Sequence, residues 1–315
     1  MPAVRRNTLG SSDLEVFPLA LGGGVFGWKA DEEASRGVLD AYVEAGGNFV
    51  DTADSYSAWV EGNSGGESET IIGRWLKERG NREEIVVASK VAHHPGFPGL
   101  SASNIAAAAD ASLARLGVDY IDLYYAHRDV ADAPIAETVE ALSKLVDQGK
   151  VRAIGASNYS VDRLAEWLRV TEEGGFHQIV AFQPEYNLVE RGFEDGTLAL
   201  VEKAALSTVP YSALAGGFLT GKYRDDAGAD IERAGSAARY LDDRGRRVLA
   251  ALDAAAKAHE VSVATVALAW VAAQPTVAAP ITSARSVHQM PEILASVSLE
   301  LTTDELTELR SASDQ

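Results

Sequence analysis

Several residues whose types suit proton transfer to a carbonyl oxygen stand at the ends of apolar runs in this chain. Asn48-Phe49-Val50 ends in Asp51, and Tyr56 follows five residues later in a polar loop. Val86-Val87-Ala88-Ser89 ends in Lys90, and Leu123-Tyr124-Tyr125-Ala126 ends in His127. After three later runs the same place is taken by Ser157-Asn158, Gln183 and Tyr211-Ser212. If each run is a buried parallel strand, these positions lie at carboxyl ends, where α/β folds gather chemistry. A free phenol, with a pKa of about 10, is a poor acid near neutrality. A lysine ammonium beside it favours the phenolate and is expected to lower that pKa. A lysine ending a buried strand needs a partner, and Asp51 is the one at hand. His127 then has the chemistry to donate a hydrogen bond to the same carbonyl oxygen. Each residue also has a plain reading: Lys90 can snorkel, His127 can be an ordinary satisfied polar group, and Ser157-Asn158 can cap the next helix. All being plain together is the less economical account.

The elements that must position them recur with a regular rhythm. Residues 4–8 and 14–17 flank a Gly-Ser-Ser-Asp turn and read as an antiparallel hairpin. Eight strand-like runs follow, at 18–21, 49–51, 85–90, 120–126, 151–156, 179–183, 208–211 and 277–281. Between and after them the pattern predicts helices at 31–45, 67–78, 101–116, 135–147, 161–170, 194–205, 246–259, 263–273, 286–296 and 303–311, with 212–244 irregular. No Pro/Gly/Ser linker divides the 315 residues. Eight βα units in one chain argue for a single α/β domain over residues 1–315, a (β/α)8 TIM barrel; an open doubly wound sheet is the alternative.

Composition narrows the function classes. Hydrophobic residues make up 46% and charged residues 23%, the balance of an ordinary globular chain. No apolar run reaches the ~20 residues of a membrane helix, and Arg5 and Arg6 have no apolar stretch behind them, so no signal peptide is expected. The absence of cysteine excludes disulfides, thiolate metal sites and cysteine nucleophiles, and fits a cytoplasmic location. A net charge of −18 repels phosphates and anionic lipid, so neither nucleic acid nor membrane is expected as a partner. Oligomeric state is left open. With no cysteine and no H-E-x-x-H, and with His93 and His94 adjacent in a run where a strand would point them apart, metal chemistry is not expected. A hydride or electron source is missing, so a cofactor is needed.

Two glycine motifs do not supply it by themselves. Gly22-Gly23-Gly24-Val25-Phe26-Gly27 fits G-x-G-x-x-G, but Trp28-Lys29-Ala30 separate it from the helix cap at Asp31, so it reads as a βα loop. Gly216-Gly217-Phe218-Leu219-Thr220-Gly221-Lys222-Tyr223 fails as a P-loop because Tyr223 replaces the metal-binding hydroxyl, although a lysine in a glycine-rich loop can still meet phosphate.

From about residue 9 to about residue 309 the chain resembles the aldo-keto reductase superfamily, including its potassium-channel β-subunit branch. The motifs are Phe49-Val50-Asp51-Thr52-Ala53-Asp54-Ser55-Tyr56, Ser89-Lys90, Asp122-Leu123-Tyr124-Tyr125-Ala126-His127-Arg128, Gly155-Ala156-Ser157-Asn158 and Pro210-Tyr211-Ser212-Ala213-Leu214-Ala215-Gly216-Gly217. The resemblance implies a barrel plugged at its base by the N-terminal hairpin. It also implies NADPH-dependent reduction of a small aldehyde or ketone without metal. The catalytic residues would be Asp51, Tyr56, Lys90 and His127. By the same resemblance Ser157, Asn158 and Gln183 would hold the nicotinamide carboxamide and Tyr211 its ring. Ser212, Leu214, Gly216, Lys222 and Arg233 would line the pyrophosphate, and Gly23 and Gly24 would approach the cofactor.

Arg285 matches a position suited to the 2′-phosphate, and Gln289 and Glu292 match adenosine contacts. Ser283 and Ile293 depart from the family's usual glycine and asparagine, so NADPH is favoured over NADH with both still in view. Trp28, Trp59 and Arg128 are the candidates for the substrate pocket. The competing readings are a nicotinamide-binding regulatory partner with little turnover and a cofactor-free barrel such as an isomerase or hydrolase.

Overall fold

The computed structural model describes residues 5–224 and 237–314. The hairpin β1 (Asn7–Thr8) and β2 (Glu15–Val16) is antiparallel, with Asn7 opposite Val16. Eight parallel strands follow in one sheet: β3 (Ala20–Gly22), β4 (Phe49–Asp51), β5 (Val86–Val91), β6 (Ile121–Ala126), β7 (Val151–Ser157), β8 (Ile179–Gln183), β9 (Ser207–Thr208) and β10 (Ile281–Thr282). Their spatial order is β10-β3-β4-β5-β6-β7-β8-β9. The two ends of that row meet. Thr208 donates its N–H to Thr276 O at 2.7 Å, Ala278 N–H to Thr208 O at 2.9 Å and Ile281 N–H to Pro210 O at 2.8 Å. The sheet therefore closes on itself, as the barrel reading expects.

Two prolines explain why this seam is thin. Pro210 and Pro280 lack the N–H that a continuous ladder needs. The strands expected at 208–211 and 277–281 accordingly appear as Ser207–Thr208 and Ile281–Thr282, joined by single bridges.

The alternation of side chains sorts the core into two layers. Phe49, Val86, Ala88, Leu123, Tyr125, Ala153 and Ala181 point inward and pack with Leu9, Leu14 and Val16 of the hairpin region. The hairpin is thus a plug whose apolar residues complete the barrel's interior. At its turn, a Cβ on Gly10 (φ +50°) would lie 2.4 Å from Val180 O, so only glycine lets the plug seat there. Val50, Val87, Tyr124 and Ile154 point outward and meet the helices. By the same period of two, Asp51, Lys90, Ser157 and Gln183 fall on the inward side at the upper rim.

The helices are α1 (Glu32–Glu44), α2 (Glu67–Arg79), α3 (Ala102–Leu116), α4 (Ile135–Asp147), α5 (Val161–Gly174), α6 (Thr197–Lys203), α7 (Asp243–His259), α8 (Val263–Ala272), α9 (Met290–Leu294) and α10 (Thr303–Ala312). Asp31 and Ser101 cap α1 and α3 as expected, accepting from Ala34 and Asn104 N–H. Helix 194–205 instead begins as a 3-10 turn, Gly192–Glu194, and resumes as α6 after Gly196 at φ +84°. The segment expected as one helix at 286–296 is three short pieces, Val287–Gln289, Met290–Leu294 and Ala295–Val297, with Pro291 in the first turn of α9. The α7 helix starts before residue 246 because Asp242 accepts from Gly245 N–H at 2.7 Å.

Candidate active site

Three of the strand-end residues form one buried hydrogen-bonded group. Lys90 Nζ donates to Asp51 Oδ1 at 2.5 Å, to Thr52 O at 2.7 Å and to Tyr56 OH at 3.1 Å. The second Asp51 oxygen accepts from Gln183 Nε2 at 2.9 Å. Both charges of the ion pair lie out of water, at 0% and 1% side-chain exposure, and each polar end is partnered, as a buried pair must be. Strand register explains the meeting: β4 pairs with β5, with Asp51 opposite Ala88, one inward step below Lys90.

Tyr56 enters from the loop after β4, held by a turn in which Tyr56 N–H donates to Ala53 O at 3.3 Å. Its ring lies 6.1 Å from that of His127, centroid to centroid. The phenol departs from expectation. Burial raises its pKa, Lys90 pulls in the opposite direction, and the net direction is upward. Desolvation of the phenolate outweighs the ammonium beside it, partly because Asp51 already answers that charge. Tyr56 is therefore protonated near neutrality. Burial also works against the charge on Lys90, but Asp51 and Tyr56 more than offset it and its pKa is raised. His127 is driven well below the ordinary imidazole value by burial, then by Lys90, His93 and Arg128, so it is neutral. Its Nδ1 is buried without a hydrogen-bond partner in the protein.

Other sequence candidates stand around this group. Ser157 Oγ donates to Gln183 O at 2.8 Å, and Asn158, at φ +59°, donates from Nδ2 to His127 O and to Ser157 Oγ. Tyr211 OH donates to Asn158 Oδ1 at 2.8 Å. A groove of about 260 Å³ begins at Asp51 and Tyr56 and is lined by Gly24, Tyr211, Ser212, Leu214, Gly216, Lys222, Ser283, Gln289 and Glu292. Gly23 lies just behind it, its N–H on Asp51 O at 2.7 Å. A Cβ there would sit 2.6 Å from Ser68 Oγ, so its glycine is a packing requirement. Arg285 is half-buried beside the far end and donates its backbone N–H to Gln289 Oε1 at 2.7 Å. Arg233 lies outside the described residues. Trp28 and Trp59 meet edge to face at 5.5 Å, and Arg128 is exposed next to His127.

Sequence reasoning missed several groove residues. Gly22, Ala213, Gly217, Thr220, Ala264 and Thr282 also line it. Thr282 and Gly22 were findable as strand ends. Ala264, in the first turn of α8, carries no signal in its type. The close approach of Gly22 to Ser283, where a Cβ would meet Oγ at 2.7 Å, is likewise visible only in three dimensions.

The groove suits an elongated dinucleotide. Gly22, Gly24, Gly216 and Gly217 form part of its wall, and Ser212, Gly216 and Gly217 take positive φ. The Lys222 cation stands part-way along, and the Asp51-Lys90-Tyr56 group closes one end. At the same end Tyr211 is half-buried, and burial pushes its hydroxyl up to about 12.

Residues 18–314 match the sequence model of the Aldo/keto reductase family. The chain is 32% identical over 328 residues to Protein tas of Escherichia coli (strain K12), covering 95% of each. It is 32% identical over 316 residues to Aldo-keto reductase yakc [NADP(+)] of Schizosaccharomyces pombe, covering 94% of this chain and 88% of that one. It is 34% identical over 296 residues to a probable voltage-gated potassium channel subunit beta of Oryza sativa subsp. japonica, covering 90% of this chain and 88% of that one.

Proposed function

The chain belongs to the aldo/keto reductase family of nicotinamide-dependent oxidoreductases, and we propose that it is an NADPH-dependent reductase converting an aldehyde or ketone to an alcohol, with Tyr56 as proton donor. The observation that carries this reading is Lys90 Nζ bridging Asp51 and the Tyr56 hydroxyl.

The groove residues are those suited to hold NADPH. When bound, the reduced nicotinamide supplies the hydride that reaches the carbonyl carbon. The chain's own residues govern the proton. Tyr56, kept protonated by burial, gives its hydroxyl proton to the carbonyl oxygen as the C=O π bond is lost, and solvent later restores it. Lys90 stabilises the phenolate left behind, and Asp51 with Gln183 fixes Lys90. Neutral His127, with its proton on Nε2, donates to the same oxygen without adding a second charge beside Lys90. In this reading Ser157, Asn158 and Gln183 would grip the carboxamide, Tyr211 would cover the nicotinamide ring, and Arg285 would take the 2′-phosphate by its fork. We further propose a single domain over residues 1–315 and a cytoplasmic location; no helix among the described residues is long and apolar enough to cross a membrane.

The test is loss of reduced-nicotinamide absorbance on adding a panel of aldehydes and ketones with NADPH and with NADH. Turnover with NADPH supports the reading. Tight cofactor binding with no turnover favours the second reading, a regulatory partner, which draws on similarity to the rice protein named as a potassium channel β subunit.

A further inference from the structure

Five rings run one against the next around the mouth of the site. Trp28 meets Trp59 at 5.5 Å between centroids, Trp59 meets Tyr56 at 6.4 Å, Tyr56 meets His127 at 6.1 Å, and His127 meets His93 at 4.7 Å. All four contacts are edge-to-face. The outer members are open to solvent: Trp28 is 37% and Trp59 55% exposed, and His93 is exposed as well. Large aromatic surface left in water at a cleft is surface held ready for an apolar, flat partner. Because Tyr56 and His127 are the middle rings, a carbonyl set against them has its substituent directed along the arc.

The arc ends in charge. Arg128 follows His127 and is exposed, and among the described residues it makes no ion pair or hydrogen bond. Its neighbour Asp129 is committed to Arg163, at 3.0 Å from Nη2. Arg82, Arg115, Arg152 and Arg191 each hold a carboxylate, whereas the guanidinium beside the proposed catalytic histidine holds none among the described residues. His93 adds no second cation: burial, then Arg128 itself, lowers its pKa, and His127 is neutral for similar reasons. A lone planar fork fits a carboxylate, which it can grip through two parallel hydrogen bonds. The arc's other cation, Lys29, lies over the Trp28 ring at 4.7 Å, at the opposite end from His127 and Arg128.

Resting on the carbonyl-reduction reading, we propose that this site takes a planar aldehyde, aromatic or conjugated, that carries a carboxylate: the ring lies within the arc, His93 walls it, and Arg128 pairs the carboxylate. The hydride and proton steps are those already given, and the carboxylate stays unchanged.

The experiment is steady-state kinetics with NADPH on 3- and 4-carboxybenzaldehyde, benzaldehyde and 4-(trimethylammonio)benzaldehyde. The carboxylates are expected to lead benzaldehyde in kcat/KM by about tenfold, with the cationic analogue last, and the lead should shrink at about 0.5 M salt. Arg128→Ala should cut the carboxylate-to-benzaldehyde ratio by about tenfold, mainly through KM, and Arg128→Lys should restore part of it. His93→Ala should lower aromatic aldehydes relative to propanal. Benzaldehyde equal to the carboxylates in the unaltered enzyme, or a ratio unmoved by Arg128→Ala, overturns the proposal while leaving carbonyl reduction standing. Absence of turnover with every aldehyde overturns the reductase reading instead. Binding of 4-(hydroxymethyl)benzoate to the NADP+ complex, followed by tryptophan fluorescence, then decides the subsite: binding lost in Arg128→Ala supports it, and no binding to the unaltered protein sinks it.

Discussion

Lys90 Nζ lies 2.5 Å from Asp51 Oδ1, and neither side chain reaches water. Two charges taken from water repay that cost only by holding each other, so removing one strands the other. Lys90→Met leaves Asp51 with Gln183 as its remaining side-chain donor. The expected outcome is a loss of about 3–5 kcal/mol in urea unfolding. Asp51→Asn combined with Lys90→Met should recover part of it, because the orphaned charge is gone. Unchanged stability in the Lys90→Met single variant would show that the pair is not buried as described. Carbonyl reduction should fall with Lys90→Met in either background, since the phenolate loses its counter-charge.

Tyr56→Phe removes one hydroxyl and little volume. If Tyr56 is the proton donor, kcat should drop by about 10²–10⁴-fold, while NADPH affinity, read by fluorescence titration, stays near that of the unaltered protein. The pH profile gives an independent check. Because burial raises the phenol's pKa against the pull of Lys90, the reduction rate should hold level through neutrality and fall only above about pH 10. Because His127 is already neutral, no acid limb should appear near pH 6.5. Full activity in Tyr56→Phe would assign the proton to another group.

Arg285→Ala tests the adenosine end. If the guanidinium takes the 2′-phosphate, NADPH should weaken by about 10–100-fold and NADH by much less, since a charge-assisted fork on phosphate is worth about 1.5–3 kcal/mol. Equal losses for the two cofactors would remove Arg285 from that role and leave Lys222 as the groove's own cation.

The site was legible where strand period and residue type coincide. Asp51 and Gln183 each end a fully buried strand, Lys90 stands one residue before the end of another, and a period of two sends all three inward, so their meeting follows from the pattern. The net rise of the Tyr56 pKa was not legible, because a sequence shows that a lysine is near but not how much water is lost. The closing seam was misplaced by the prolines at 210 and 280, which thin the ladder that the apolar runs imply. Gly155 gave no warning of its purpose: a Cβ there would lie 2.4 Å from the Tyr125 ring, which fills the barrel just below the ion pair. The polar cluster behind β5 was invisible for a different reason. Ser89 donates to Glu69 Oε1 at 2.5 Å and Arg115 Nε to Glu69 Oε2 at 2.6 Å, a meeting of three distant segments.

Asp54 sits beside that cluster, fully buried, with neither carboxylate oxygen hydrogen-bonded. Burial first, and then the charge of Glu69, push its pKa up to about 8 against the opposing pull of Arg115 and Lys90. In the unfolded chain the same carboxyl has a pKa of about 3.9. Between these values the native state holds a proton that the unfolded state has released. Its contribution to stability is therefore full below about pH 4 and is lost as pH rises through about 8. Asp54→Asn removes that titration. The stability of the unaltered protein minus that of the variant, from urea midpoints at about pH 5, 7 and 9, should fall with rising pH by on the order of 4 kcal/mol. A difference that stays constant over this range would mean that Asp54 is ionised in the folded protein and that water or another group satisfies it.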